Sequence, residues 1–144
     1  MKTVLFLCTG NYYRSRFAEY LFNKIASKQG LSWVSDSRGL ALERGVYNIG
    51  AISKYAIAGL AERGVSLDLD IRYPIAVTES DFVTAIRIIA LDEREHHPLM
   101  IERFPKWVDN IEYWQIHDVD KTAPEEALQK IADNIQELIG ELGK

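Results

Sequence analysis

The chain has 144 residues, 47% hydrophobic and 26% charged, which suits a single soluble globular domain over residues 1–144 and excludes a disordered or fibrous chain. A formal charge of −4 argues against nucleic acid or anionic membrane as partners, so an anionic ligand has to be caught by a local arrangement. The lone cysteine, Cys8, rules out an internal disulfide and fits a reducing compartment.

The opening run Thr3–Leu7 is too short to span a bilayer and lacks the parts of a signal peptide, so a cytoplasmic protein is expected. Val4-Leu5-Phe6-Leu7 reads as a strand that ends at a Gly-containing turn. From Ser15 onward Phe17, Leu21, Phe22 and Ile25 share one helical face, and Gly30 stops the helix. A second strand is predicted at Ser32–Asp36, running into Ser37-Arg38-Gly39, and a helix over Ser53–Arg63 ends at Gly64. Ile86–Leu91 is the clearest buried strand, with a helix over Asp92–Phe104 and a further strand at Ile111–Ile116. Thr122 and Glu125 have capping-box spacing around Pro124, ahead of the stripe Leu128, Ile131, Ile135, Leu138 and Leu142.

Apolar strands alternating with amphipathic helices predict an α/β fold whose parallel sheet is covered on both faces. Ligands in such folds sit beyond the C-terminal strand ends. Three segments fall there: Cys8–Ser15, Ser37–Gly39 and His117–Asp120.

The most informative stretch is Cys8-Thr9-Gly10-Asn11-Tyr12-Tyr13-Arg14-Ser15, between a strand and a helix. A helix N-terminus exposes free N–H groups and partial positive charge, and a turn curled around it aims several donors at one tetrahedral dianion. Gly10 permits backbone angles that strain other residues, and Asn11 tolerates a left-handed conformation. Arg14 supplies a planar fork for two phosphate oxygens. The same surroundings favour the thiolate of Cys8, to which the Ser15 hydroxyl can donate. Thr9, Gly10, Asn11, Tyr12, Tyr13 and Ser15 are thus the expected substrate-binding residues, with Cys8 as nucleophile and Arg14 as clamp. A buried cysteine on its own is usually inert filler; the combination with Gly10, Asn11, Arg14 and Ser15 at a strand–helix junction is what singles it out.

That loop resembles the signature of low-molecular-weight protein tyrosine phosphatases: Cys, two residues with Gly second, Asn, two more residues, then Arg-Ser. Ser37-Arg38-Gly39 is similar to the family's Ser-x-Gly after the second strand, whose serine steadies the loop asparagine. Ile88–Asp92 and Asp81-Phe82 extend the resemblance over nearly the whole chain. It implies a four-stranded parallel sheet of order 2-1-3-4 with helices on both faces and a phosphocysteine intermediate on Cys8; no cofactor is expected. The family also places its general acid after the last strand, often four residues past a tryptophan. Trp114-Gln115-Ile116-His117-Asp118 keeps that spacing, so Asp118 is the implied acid, although Val119 stands where the family has proline and Asp120 competes two residues on.

Other departures bear on substrate. Tyr13 replaces a common second cysteine, so no protective disulfide can form within the loop. Arg16 replaces a common proline and is expected to add positive charge near the mouth. The rim aromatics are missing at Leu42-Glu43, and Asp120-Lys121 replace tyrosines; Tyr12 and Tyr13 are left either as a substitute aromatic wall or as packing. His117 is expected to be an exposed neighbour of the acid, Trp33, Trp107 and Trp114 to be core or strand-edge residues, and His96-His97 to diverge on a helix rather than share a metal. The reading is a phosphomonoester hydrolase acting on phosphorylated protein or a small aryl phosphate. The alternatives are an arsenate reductase that uses an external thiol and a non-catalytic phosphate-binding module.

Overall fold

A computed structural model describes residues 1–144. Strand β1 (Lys2–Cys8) leads to helix α1 (Arg14–Lys28), and strand β2 (Trp33–Gly39) is followed by a 3-10 turn over Leu42–Gly45 and helix α2 (Lys54–Glu62). Then come α3 (Glu79–Thr84), β3 (Arg87–Ala90), α4 (Glu93–Arg103), a 3-10 segment over Pro105–Asn110, β4 (Glu112–Tyr113) and α5 (Pro124–Leu142). The four strands form one sheet in the order β2-β1-β3-β4, and every pairing is parallel. This is the predicted fold.

The sheet alternation divides the interior in two. On β1, Val4 and Phe6 belong to a cluster with Phe17, Leu60 and Ile135, and so pack under α1, α2 and α5. Leu5 and Leu7 point the other way, into a cluster with Phe82, Leu99 and Met100 of α3 and α4. Every β1 side chain from Val4 to Cys8 is buried, because a central parallel strand has no solvent face. The register pairs Cys8 with Gly39 and Leu7 with Ala90, which brings the C-terminal ends of β1, β2 and β3 to one edge.

Two predicted elements differ. The strand expected over Ile111–Ile116 pairs only at Glu112–Tyr113, because β3 ends at Ala90 and Asp92 already caps α4. Beyond Tyr113 the backbone bonds continue irregularly, from Ile116 N to Leu91 O at 2.8 Å and from Glu93 N to Trp114 O at 2.8 Å. The capping box expected at Thr122 and Glu125 does not form. Ala123 is the N-cap of α5, Pro124 occupies its first turn, and the Thr122 N–H is taken by the Asp118 carbonyl at 3.0 Å. A capping box does occur on α3, where Asp81 accepts from the Thr78 N–H at 2.8 Å. No helix is long and apolar enough to cross a membrane.

Candidate active site

Cys8 is the last residue of β1 and Arg14 the first of α1, so the loop between them sits on the helix N-terminus. No side chain caps that end, which leaves its first N–H groups for a ligand. Asn11 takes the left-handed conformation, with φ of 52°. Gly10 does not; its lack of a side chain leaves room beside Asn48 rather than a special backbone angle. Gly39 is the glycine the loop requires. A Cβ there would lie 2.9 Å from the Thr9 carbonyl oxygen, too close for any other residue.

Behind the loop runs a buried hydrogen-bond chain. Asn11 Nδ2 donates to Ser15 Oγ at 2.8 Å and to Ser37 Oγ at 2.9 Å. Each hydroxyl, having accepted from Asn11, has its own proton to give. Ser37 donates to Glu19 at 2.6 Å, and Ser15 faces Cys8 Sγ at 2.9 Å. Arg72 closes the far end, donating to Asn11 Oδ1, Glu19 Oε1 and Ser37 Oγ, each at 3.0 Å. Burial pushes the Glu19 carboxyl up, and Ser37 and Arg72 offset that only in part. Glu19 and Arg72 carried no sequence signal. Arg16 belongs to this interior rather than to the mouth, contrary to the charge expected there. It is 0% exposed and donates to Ala51 O at 2.8 Å and Arg72 O at 2.7 Å, tying the loops together.

In front of the loop lies a cavity of about 300 Å³, lined by Cys8, Arg14, Arg44, Asn48 and Asp118 together with Tyr12, Tyr13 and Tyr55. Thr9 and Gly10 complete the part of the lining that comes from the loop. Tyr12 donates to the Ile49 carbonyl at 2.6 Å. Tyr13 is buried edge-on to Tyr55, with ring centroids 6.3 Å apart, so the two loop tyrosines both wall the cavity and pack. The Tyr13 hydroxyl has no partner, and burial, together with the charge of Asp118, pushes it up to about 12.

Arg14 is buried against three carboxylates. Its Nη1 donates to the Ile116 carbonyl at 3.0 Å and its Nη2 to Glu95 at 2.7 Å, while Nε has no partner. Burial opposes the charge of Arg14, but Cys8, Glu95 and Asp118 around it raise its pKa overall. Asp92 and Asp118 each stand 3.8 Å from the guanidinium. Asp92 caps α4 and accepts from Arg94 N at 3.3 Å. Its other oxygen lies 2.9 Å from His117 Nδ1, so His117 is half-buried and bonded rather than an exposed neighbour.

Asp118 is the open carboxylate. Its side chain is 45% exposed and lines the cavity with Cys8, and Oδ1 accepts from the Val119 N–H at 2.9 Å. Asp120 lines only the adjoining polar cleft, with Glu95, Arg94 and Lys121. His96 is buried while His97 lies edge-on to Tyr113, and no group of three or more His, Cys, Asp or Glu side chains is placed to hold a metal ion. Trp114 packs on the α1/α5 core and Trp107 on the α3/α4 core, stacked with Phe82 at 5.5 Å.

A thiol at the floor of an uncapped helix end, an arginine whose Nε has no partner and a carboxylate at the mouth, on a 2-1-3-4 parallel sheet, define a cysteine-centred phosphate-loop protein. Comparison with known proteins places it more narrowly. The low molecular weight phosphotyrosine protein phosphatase family matches residues 3–144, and the chain belongs to that family, whose members are cysteine-dependent phosphatases. The pig low molecular weight phosphotyrosine protein phosphatase is 34% identical over 95 residues, which are 64% of this chain and 56% of the pig protein. The protein-arginine-phosphatase of Bacillus subtilis strain 168 is 28% identical over 108 residues, 75% of this chain and 67% of that protein. Among solved structures, YfkJ from Bacillus subtilis superposes with a TM-score of 0.82 at 26% identity, covering 99% of this chain and 95% of that one. The low molecular weight protein tyrosine phosphatase from T. tengcongensis shares the fold, with a TM-score of 0.80 at 24% identity over 98% of this chain and 99% of that one.

Proposed function

We propose that the protein hydrolyses phosphomonoesters through a phosphocysteine on Cys8, with phosphotyrosine in proteins, or a small aryl phosphate, as substrate, and that it works in the cytoplasm, where a lone thiol stays reduced. The observation that carries this reading is the 2.9 Å approach of Ser15 Oγ to Cys8 Sγ inside the uncapped loop. With Asn11 donating to Ser15 Oγ, the serine proton is available to the Cys8 thiolate. The loop N–H groups and the free Nε of Arg14 then receive the phosphoryl oxygens. Cys8 sulfur bonds to phosphorus as the P–O bond to the leaving group breaks, and Asp118 gives its proton to the departing oxygen. Water next attacks phosphorus and passes a proton to Asp118. The S–P bond breaks, inorganic phosphate leaves, and the returning thiolate is met by Ser15.

Three carboxylates surround Arg14, and their surroundings support different roles. Asp92 is buried and engaged by Arg94 N and His117. Burial works against the charge of Glu95, but donors from His96, Arg14 and Thr9 hold its carboxyl well below the usual range, so it has no proton to give near neutrality. Asp118 alone of the three lines the cavity with Cys8, which supports it as the acid over Asp120 as well.

Phosphoarginine is a second reading. The cleft joined to the cavity has no apolar lining residue, and its carboxylates Asp92, Glu95, Asp118 and Asp120, set beside Arg44, Arg94 and Lys121, offer acceptors to a cationic leaving group. The experiment is turnover of p-nitrophenyl phosphate, of a phosphotyrosine peptide and of a phosphoarginine peptide at mildly acidic pH, beside arsenate-dependent thiol consumption. Phosphate release from the aryl substrates is the expected result, and the peptide pair ranks the two phosphatase readings. Arsenate-dependent thiol oxidation without phosphate release would replace both with the reductase, and no turnover at all would leave a binding module.

A further inference from the structure

The first turn of α4 lies beside the phosphate loop because β3, which feeds it, is the sheet neighbour of β1. Two side chains of that turn reach the loop. Glu95 Oε2 accepts from Arg14 Nη2 at 2.7 Å and from the Thr9 hydroxyl. His96 is fully buried, and its Nδ1 accepts from the Asp92 N–H at 3.0 Å, which places its proton on Nε2. From there it lies 3.2 Å from Thr9 Oγ1 and 3.2 Å from Glu95 Oε2. One carboxylate oxygen thus draws together the clamp arginine, the loop threonine and a buried histidine.

Such an arrangement fixes the orientation of Arg14. A guanidinium has five N–H bonds in one plane. Here Ile116 O holds Nη1 and Glu95 holds Nη2, and Nε is left without a partner. Without Glu95, the fork would retain one neutral anchor and two waiting carboxylates, Asp92 and Asp118, each 3.8 Å away. A turn toward Asp118 would both misdirect the clamp and occupy the acid. Glu95 lines the adjoining cleft and not the cavity that holds Cys8, so its contact with Arg14 comes from beside the anion position.

We propose that Glu95 is a positioning residue that sets the plane of Arg14, so that the Nε–H and the remaining Nη protons face the bound phosphoryl group. This rests on the reading of Arg14 as the phosphate clamp, and the experiment separates the two. Vanadate inhibition of p-nitrophenyl phosphate turnover is measured for Glu95→Ala and Glu95→Gln, each made alone and in an Arg14→Lys background, with thermal melts as the check on folding. Glu95→Ala is expected to raise the vanadate inhibition constant about tenfold, the scale of one charge-assisted hydrogen bond. Glu95→Gln keeps an acceptor oxygen and is expected to recover most of that loss. In the Arg14→Lys background the same changes are expected to do little, because their effect passes through the fork. Unchanged or tighter vanadate inhibition in Glu95→Ala overturns the proposal, as does an equal loss in both backgrounds. If Arg14→Lys alone leaves vanadate inhibition unaltered, the clamp reading itself fails.

Discussion

The two sides of the phosphate loop are built on opposite principles. Behind it, Asn11, Ser15, Ser37 and Glu19 are buried in one hydrogen-bonded chain that Arg72 closes, with both Asn11 amide protons and the Ser37 hydroxyl proton taken up. In front of it, the 42–50 segment that walls the cavity is open: Tyr47 is 95% exposed and Ile49 86%, and Arg44 and Asn48 lie on the surface. A buried polar chain has few workable arrangements, since each unpaired group costs about 1–3 kcal/mol. An exposed rim carries no such constraint and is free to differ in what it receives. The interior therefore speaks to the reaction, and the rim to the substrate.

That contrast can be broken from the front first. Asp118→Asn is expected to slow aryl phosphate hydrolysis by about 10²-fold, with the loss shrinking as the leaving phenol becomes more acidic. Asp120→Asn, outside the cavity, is expected to have a smaller effect without that dependence. If Asp120→Asn gives the larger, leaving-group-dependent loss, the acid lies two residues further on.

From behind, the expected effect is smaller. Ser37→Ala leaves one Asn11 proton and the Glu19 carboxyl short of a partner while touching nothing in the cavity. A loss of about tenfold in kcat is expected from a misplaced loop. It should come with a lower melting temperature and an unchanged dependence on leaving group. A Ser37→Ala variant with full activity and stability would show that the buried chain does not hold the loop.

The sequence spelled out what is local. Cys8 through Ser15 is one strand–turn–helix unit, so its spacing alone places thiol, loop and arginine together. The strand-end rule picks out the segments of Ser37 and Asp118, but their roles come only through resemblance, because sheet register and loop path bring them to the site. Arg16, expected as a charge at the mouth, is buried instead. Two residues along a helix turn a side chain by about 200°, so Arg14 and Arg16 cannot face the same cavity. Glu19, Arg72 and Glu95 gave no signal of their own. Glu19 sits on an ordinary amphipathic helix, Arg72 in a segment without periodicity, and Glu95 among charges that suit any solvated helix start. Their meaning comes from partners between 18 and 81 residues away.

The central claim is that Cys8 carries the phosphoryl group, and acid-quenched capture of the labelled protein during turnover tests it most directly. Mass spectrometry of the Asp118→Asn variant, in which breakdown of the intermediate is slowed, is expected to find phosphate on the peptide containing Cys8. The Cys8→Ser variant should show no turnover and yet still bind vanadate through the intact loop. Phosphate on another residue, or near-normal hydrolysis by Cys8→Ser, would contradict the account.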